Sequence, residues 1–293
     1  MIDWGAISAE ISLAVGIPFK IARITAQDGG CINRSYRVGN LGGLHYFVKL
    51  NHADKLPMFA AEMNSLRELA ASDTIRVPQP ITCGVCSAHS FLVLEYLELN
   101  DHGDEALLGT QLAQLHLTHS SRFGWHQDNT IGATTQRNNW SGNWIVFWRE
   151  HRLGYQLELA KYQGLTDKLQ PLGEQLLSRL DKFFVGYHPA PSLLHGDLWS
   201  GNHGYAADGT PVLFDPAPYY GDRETDLAMT ELFGGFNSRF YAAYRAGYPL
   251  HPGYESRRDL YNLYHILNHA NLFGGNYPQQ AVQMMQRLLR HLD

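Results

Sequence analysis

The stretch Leu194-His195-Gly196-Asp197-Leu198-Trp199-Ser200-Gly201-Asn202, followed by Val212-Leu213-Phe214-Asp215-Pro216, decides the reading of this chain. A short apolar run delivers Asp197 into a loop, and Asn202 follows five residues on. A turn around Asp208-Gly209 then returns the chain along a second apolar run to Asp215. Two short strands and a turn fit this interval and can bring two carboxylates and an amide oxygen together. Magnesium prefers hard oxygen ligands, one or two from protein and the rest from phosphate and water. Asn202 and Asp215 suit that role, which leaves Asp197 to accept, or simply to orient, the proton of an attacking hydroxyl. Taken singly, each residue would fit an Asx turn or a strand end. Their order and spacing make the chemical reading the stronger one.

Around this stretch the chain changes character. Between about Ile21 and Leu97 the pattern predicts short strands, including Ser35–Val38 and Leu44–Leu50 joined by Gly39-Asn40-Leu41-Gly42-Gly43. Leu56–Ala71 reads as a helix with Pro57 in its first turn, and Ser90–Glu95 as an apolar strand. Beyond Leu97 the periodicity is mostly helical, at Ala106–His119, Trp144–Gln163 and Tyr254–Phe273, interrupted by a β-rich insert over Ser192–Phe214. The expectation is an α+β fold of two lobes. Residues 1–97 form a small antiparallel sheet lobe and 98–293 a larger, mainly helical lobe. A cleft between two such lobes is the natural ligand site.

Composition narrows the function. With 293 residues, 44% hydrophobic and 17% charged, the chain can bury a substantial core. A net charge of −5 argues against broad nucleic-acid binding, which needs a basic stripe. The first 16 residues hold no Lys or Arg and so do not read as a secretory signal, and no apolar run is long enough to span a bilayer. Three cysteines in no disulfide pattern fit a reducing compartment, so a cytoplasmic protein is expected. Cys83-Gly84-Val85-Cys86 has the spacing of half a zinc site, but without a second such pair a complete site is not expected.

The pattern HGDxxxxN followed by a strand-end Asp resembles the catalytic and metal-binding loops of aminoglycoside phosphotransferase-like kinases, small-molecule relatives of protein kinases. Asp-Pro stands where protein kinases carry Asp-Phe-Gly, a departure usual in the small-molecule branch. The resemblance implies earlier parts. Lys49, in Tyr46-Phe47-Val48-Lys49-Leu50, would contact the α- and β-phosphates of ATP. Glu62, on the predicted helix, would hold its ammonium. Gly29 and Gly30 would lie in the loop over the phosphates, with Cys31 at its tip as a candidate redox switch. Backbone groups of Glu95, Tyr96 and Leu97 would meet the adenine edge.

The flanking residues resemble one family within that group. Phe123-Gly124-Trp125, Asp128-Asn129-Thr130-Ile131-Gly132, Trp140, Phe147-Trp148-Arg149 and Arg152-Leu153 form one part of the series. Tyr220-Gly221-Asp222-Arg223-Glu224, Asp226-Leu227-Ala228-Met229 and Leu267-Asn268-His269 form the other. Together they are similar to the fructosamine (ketosamine-3-) kinases. That likeness implies transfer of phosphate from ATP, with Mg2+, to the sugar 3-hydroxyl of ketosamines, free or protein-bound, in repair of glycated amines. No nucleic-acid or membrane partner is implied. Asp222, Glu224 and the Asn129/Trp140 segment are candidate substrate contacts, while Asp226 is expected to brace the catalytic loop and Arg223 to pair with a structural carboxylate. Other readings are a kinase for an aminoglycoside, choline or a sugar, and a non-catalytic nucleotide-binding relative.

Overall fold

The computed structural model describes residues 1–27, 32–165 and 169–293. The chain divides into two compact units, Met1–Asp104 with Gly204–Pro216, and Glu105–His203 with Ala217–Asp293.

In the first unit, helix α1 (Trp4–Val15) starts at Asp3, whose side chain accepts the Ala6 N–H, and stops at Gly16 in the left-handed conformation. Strands β1 (Arg23–Gln27), β2 (Arg34–Gly39) and β3 (His45–His52) follow. Helix α2 (Leu56–Ala71) and strands β4 (Pro80–Cys86) and β5 (His89–Glu95) complete the set. The five strands form one antiparallel sheet in the order β1-β2-β3-β5-β4. Alternation along β3 decides what lies where. Tyr46, Val48 and Leu50 join Ile7, Ile11 and Phe19 in a buried apolar cluster, so Lys49 projects from the opposite face. The β2–β3 turn is tied by Asn40, whose side chain accepts the Leu44 N–H. In α2, Phe59, Glu62, Leu66 and Leu69 recur at helical spacing, which places Glu62 on the buried stripe. Cys83 and Cys86 sit three residues apart on β4 and therefore point to opposite faces, Cys86 into the core.

The second unit opens with α3 (Glu105–His116) and the hairpin β6 (Asn129–Ile131) and β7 (Thr134–Gln136). The stretch read as one helix over Trp144–Gln163 is α4 (Trp144–Trp148), a π turn over Arg149–Leu153 and α5 (Gly154–Tyr162). Gly154 permits the wide turn, because a Cβ there would lie 2.3 Å from the Arg149 carbonyl oxygen. The turn carries Arg152 inward, fully buried, over the rings of Tyr219 and Phe147. Helix α6 (Leu169–Leu177) and strand β8 (Ser192–Leu193) lead into the loop that carries Asp197.

The hairpin β9 (His203–Tyr205) and β10 (Pro211–Leu213) carries the chain back to the first unit. Tyr205 exchanges backbone hydrogen bonds with Asn100, and the Leu213 N–H donates to the Arg76 carbonyl. For that reason Gly204–Pro216 belongs with the sheet unit, and the units part at Asp104/Glu105 rather than at the 97/98 boundary expected from sequence. Strand β11 (Tyr220–Gly221) then pairs with β8, and α7 (Glu224–Leu232), α8 (Ser238–Gly247), α9 (Tyr254–Phe273) and α10 (Tyr277–Leu292) follow. Helix α9 is buried along most of its length, with Tyr261 and Tyr264 packed on Trp148.

Candidate active site

Lys49 and Glu62 meet as the family resemblance implies. Lys49 Nζ lies 2.5 Å from Glu62 Oε1 and also 2.5 Å from Asp215 Oδ1, all three within the first unit. Burial works against the ammonium, but the neighbouring charges of Asp215 and Glu62 win, and its pKa is raised. Glu62 must share that ammonium, and burial pushes its carboxyl upward. Two carboxylates around one ammonium leave the cluster a positive charge short. Asp215, with 45% of its side chain exposed, is the member able to offer an oxygen outward. Hard oxygen and excess negative charge fit a divalent cation. Asp215 also holds a positive φ of 55°, a conformation uncommon outside glycine but tolerated by Asp.

The second unit holds the other two predicted chemical residues together. Asn202 Nδ2 donates to the Asp197 carbonyl at 2.8 Å and to Asp197 Oδ2 at 3.2 Å, so the amide fixes the carboxylate and turns its own oxygen away from it. Leu198 is fully buried and anchors the loop, while Trp199 beside it is 39% exposed. Gly196 has φ 85°, and a Cβ there would lie 1.9 Å from the Ala217 carbonyl oxygen. Only glycine fits this position.

Asp226 braces the loop from behind, as expected. Its Oδ2 accepts the His195 N–H at 2.7 Å and its Oδ1 the Gly196 N–H at 2.8 Å. Burial would raise this carboxyl, but the hydrogen bond and charge of His116, helped by His195 and the Gly196 N–H, hold it below the usual carboxylate range. His116 Nε2 lies 3.1 Å from Asp226 Oδ2, and its Nδ1 lies 2.7 Å from the Tyr244 hydroxyl. Burial depresses the imidazole pKa against the pull of Asp226, so the ring is neutral. A neutral ring donates from Nε2 to the carboxylate and accepts at Nδ1 from Tyr244, whose oxygen in turn accepts from Arg223 Nη1. His116 carries no distinguishing mark in the sequence. Its signal, a histidine on an apolar helix face, is shared with many core histidines.

Other expectations need correction. Arg223 pairs with no carboxylate among the described residues. It donates to the Tyr244 hydroxyl and to the carbonyls of Tyr248 and Pro249, and stacks on Tyr248. Asp222 and Glu224 are fully buried and engaged internally, Asp222 by Tyr187 and Tyr261, Glu224 by Arg257, so neither faces a substrate. Asn129, also buried, is spent on the Pro218 carbonyl and on Gln136 and Asn138. Trp140 stacks on Tyr220 under the Arg122 guanidinium. The Glu95 N–H is bonded to the Gln79 carbonyl and its carboxylate to Arg76 and the Gln79 N–H, so this residue has no backbone donor left for a base. Tyr96 lies under the Arg37 guanidinium, and Leu97 follows it, half-buried. Gly29, Gly30 and Cys31 lie outside the described residues. On the described side of that loop, Asn51 Nδ2 ties down the Ile32 carbonyl and Asn33 Oδ1.

A five-stranded sheet carrying a Lys–Glu pair, with an Asp–Asn loop and a strand-end Asp, defines a kinase-like small-molecule phosphotransferase, an enzyme that draws on ATP. An ADP-bound aminoglycoside phosphotransferase shares the fold at a TM-score of 0.63 and 15% identity, covering 96% of this chain and 98% of its own. The fructosamine kinase family model matches residues 3–291, and the chain belongs to that family. It is 49% identical to a probable ketoamine kinase of Synechocystis sp., over 98% of this chain and 97% of the relative. It is 41% identical to the chloroplastic protein-ribulosamine 3-kinase of Arabidopsis thaliana, over 96% and 86%. A crystal structure of a fructosamine-3-kinase candidate from Haemophilus somnus superposes at a TM-score of 0.89 with 29% identity, covering 98% and 97%. Among the described residues no helix is long and apolar enough to cross a membrane.

Proposed function

We propose that this protein transfers the γ-phosphoryl group of ATP to the 3-hydroxyl of ketosamines, fructosamine or ribulosamine adducts of free or protein-bound amines, and acts in the cytoplasm in deglycation. The substrate class follows from the relatives named ketoamine and ribulosamine kinases. The observation that carries the chemistry is the single Lys49 ammonium held by two carboxylates. A lysine so fixed keeps its charge and its direction, which suits it to the phosphate tail. Asn202 and Asp215 would hold Mg2+, which when bound offsets the negative charge of the phosphates.

Every other part is positioning. Glu62 keeps Lys49 from swinging away. Gly29 and Gly30 would give the phosphates a backbone without side-chain obstruction, and the backbone of Glu95, Tyr96 and Leu97 would border the adenine. Asp197, steadied by Asn202, accepts or orients the proton of the sugar hydroxyl. Phosphoryl transfer needs such alignment and charge offset more than covalent help.

The test is ADP release with Mg-ATP across fructosamine, ribulosamine and erythrulosamine adducts, with an aminoglycoside and choline as controls. Turnover confined to the ketosamines supports the reading. Turnover on a control alone, or purified, folded Asp197→Asn working at the wild-type rate, overturns it.

A further inference from the structure

The chain contains the tetrapeptide Leu-Phe-Gly-Gly twice, as Leu232-Phe233-Gly234-Gly235 after α7 and as Leu272-Phe273-Gly274-Gly275 after α9. Both are built alike. All four glycines have positive φ, at 73° and 102° in the first and 64° and 58° in the second. Both phenylalanines are exposed, Phe233 by 43% and Phe273 by 52%. They flank one histidine. The His269 ring centroid lies 5.4 Å from that of Phe233 and 5.6 Å from that of Phe273, with Tyr277 a third neighbour at 5.0 Å. His269 Nδ1 donates to the His265 carbonyl, which fixes the ring between them. A Cβ at Gly234, Gly274 or Gly275 would meet nothing within 4 Å, so both turns are open at their glycines.

The four rings are left partly in water as one cluster, not as singly scattered apolar residues, and clustered exposed apolar surface marks a binding site. Their place suggests a use. A Cβ on Gly235 would lie 2.3 Å from Ser200 Cβ, so the first Leu-Phe-Gly-Gly turn packs directly on the loop that carries Asp197 and Asn202. Phe233 is two residues from that contact, within about 8 Å along the backbone. Trp199, exposed by 39%, stands next to Ser200 on the loop itself.

We propose that the twin Leu-Phe-Gly-Gly turns, with His269 between them, form the subsite for the amine-borne portion of the ketosamine and favour adducts whose amine carries an apolar or aromatic group. This rests on the ketosamine reading above and names the part of the substrate that the sugar contacts leave undecided. In a ketosamine the amine lies two carbons from the carbon bearing the reacting hydroxyl, so its substituent must leave the catalytic loop at close range. Aromatic faces suit both a carbon chain and the protonated amine at its root.

The test compares fructose adducts of methylamine and of 2-phenylethylamine, which share the sugar and the charge. Wild type is expected to favour the phenylethyl adduct in kcat/KM by about tenfold or more, through KM. That ratio should fall severalfold in Phe233→Ala and in Phe273→Ala and approach unity in the double variant, whereas Phe233→Tyr and Phe273→Tyr keep it. An even wild-type ratio, or a double variant that retains the wild-type preference, overturns the subsite while leaving the ketosamine reading standing. If wild type phosphorylates neither adduct, the ketosamine reading fails and takes the subsite with it. A dimer in size-exclusion chromatography that the double variant abolishes, with the ratio unmoved, would assign the rings to a second copy of the chain and overturn the subsite as well.

Discussion

Lys49 and Asp215 are separated by 166 positions in sequence, yet Nζ and Oδ1 lie 2.5 Å apart, and Glu62 holds the same ammonium from α2. The cluster is therefore asymmetric: Glu62 and Lys49 are buried, whereas Asp215 is partly open. Lys49→Met should be the most damaging change, because it strands the buried Glu62 carboxyl with Asp215 and no cation, at about 3 kcal/mol or more. Asp215→Asn removes only the outward carboxylate. It is expected to keep near wild-type stability while abolishing the rise in Tm on adding Mg-ATP. Urea unfolding and thermal shift separate the two, and equal losses of stability would contradict the asymmetry.

Gly196 marks where the loop that carries Asp197 presses on the segment after Asp215. Gly196→Ala combines a positive φ with a methyl 1.9 Å from a carbonyl oxygen, so the loop must move for the residue to fit. A loss of about 2–5 kcal/mol is expected, with a fall in kcat beyond what the unfolded fraction explains. Gly209→Ala is the comparison. It also has positive φ, at 84°, but a Cβ there meets nothing within 4 Å, so the cost should stay near the backbone strain of about 1–2 kcal/mol. If the two variants unfold at the same urea concentration, the close approach at Gly196 is not what constrains it.

Glu224, on α7, and Arg257, on α9, form a fork, with Arg257 Nε 2.7 Å and Nη2 3.1 Å from the carboxylate oxygens, both residues nearly inaccessible. Burial and the nearby Asp222 still push Glu224 up to about 7, against the pull of Arg257. Removing one partner leaves a buried group alone. Arg257→Met is expected to cost about 3–5 kcal/mol, and Glu224→Gln added to it should restore part of that loss. Calorimetry on the four proteins of the cycle measures the coupling, and strictly additive losses would show that the fork contributes none.

Much of this was legible in the sequence, and the reason differs by residue. Leu56–Ala71 and Tyr254–Phe273 are helices at the bounds their apolar spacing predicts, the first burying one apolar stripe and the second buried on nearly every face. Asp197 and Asn202 could be placed together from order and interval, since one short loop carries both, whereas the Lys49–Glu62 pair was legible only through the family resemblance. What was not legible depends on distant partners. His116 acquires its role only when Asp226, Tyr244 and Arg223 surround it, and Arg223 finds carbonyl oxygens rather than the carboxylate expected. The acidic candidates Asp222 and Glu224 look like substrate ligands in sequence, yet Tyr187, Tyr261 and Arg257 consume them. Helix α1 leaves only a faint mark in the sequence, because its N-terminal segment shows little beyond the lack of a secretory pattern. Its two buried residues, Ile7 and Ile11, lie one turn apart and were the available clue.

His265, on α9 one residue from Tyr264, is buried, and that burial, with His269 and Arg152 nearby, pushes its imidazole pKa down to about 3 against the pull of Asp226. In the unfolded chain the same group titrates near about 6.5. Below that pH the unfolded state takes up a proton that the native state refuses, so stability falls as the medium is acidified and is fully present only above it. From pH 8 to pH 5 this amounts to about 2 kcal/mol from His265 alone. Glu224, whose raised pKa acts in the opposite direction, and the other buried histidines remain in any variant of this one position. The expected outcome is therefore a difference in slope. His265→Leu, whatever its stability at pH 8, should lose about 2 kcal/mol less than wild type on going to pH 5 in urea titrations. Parallel pH profiles for the two proteins would mean that His265 is protonated as readily in the folded chain as in the unfolded one.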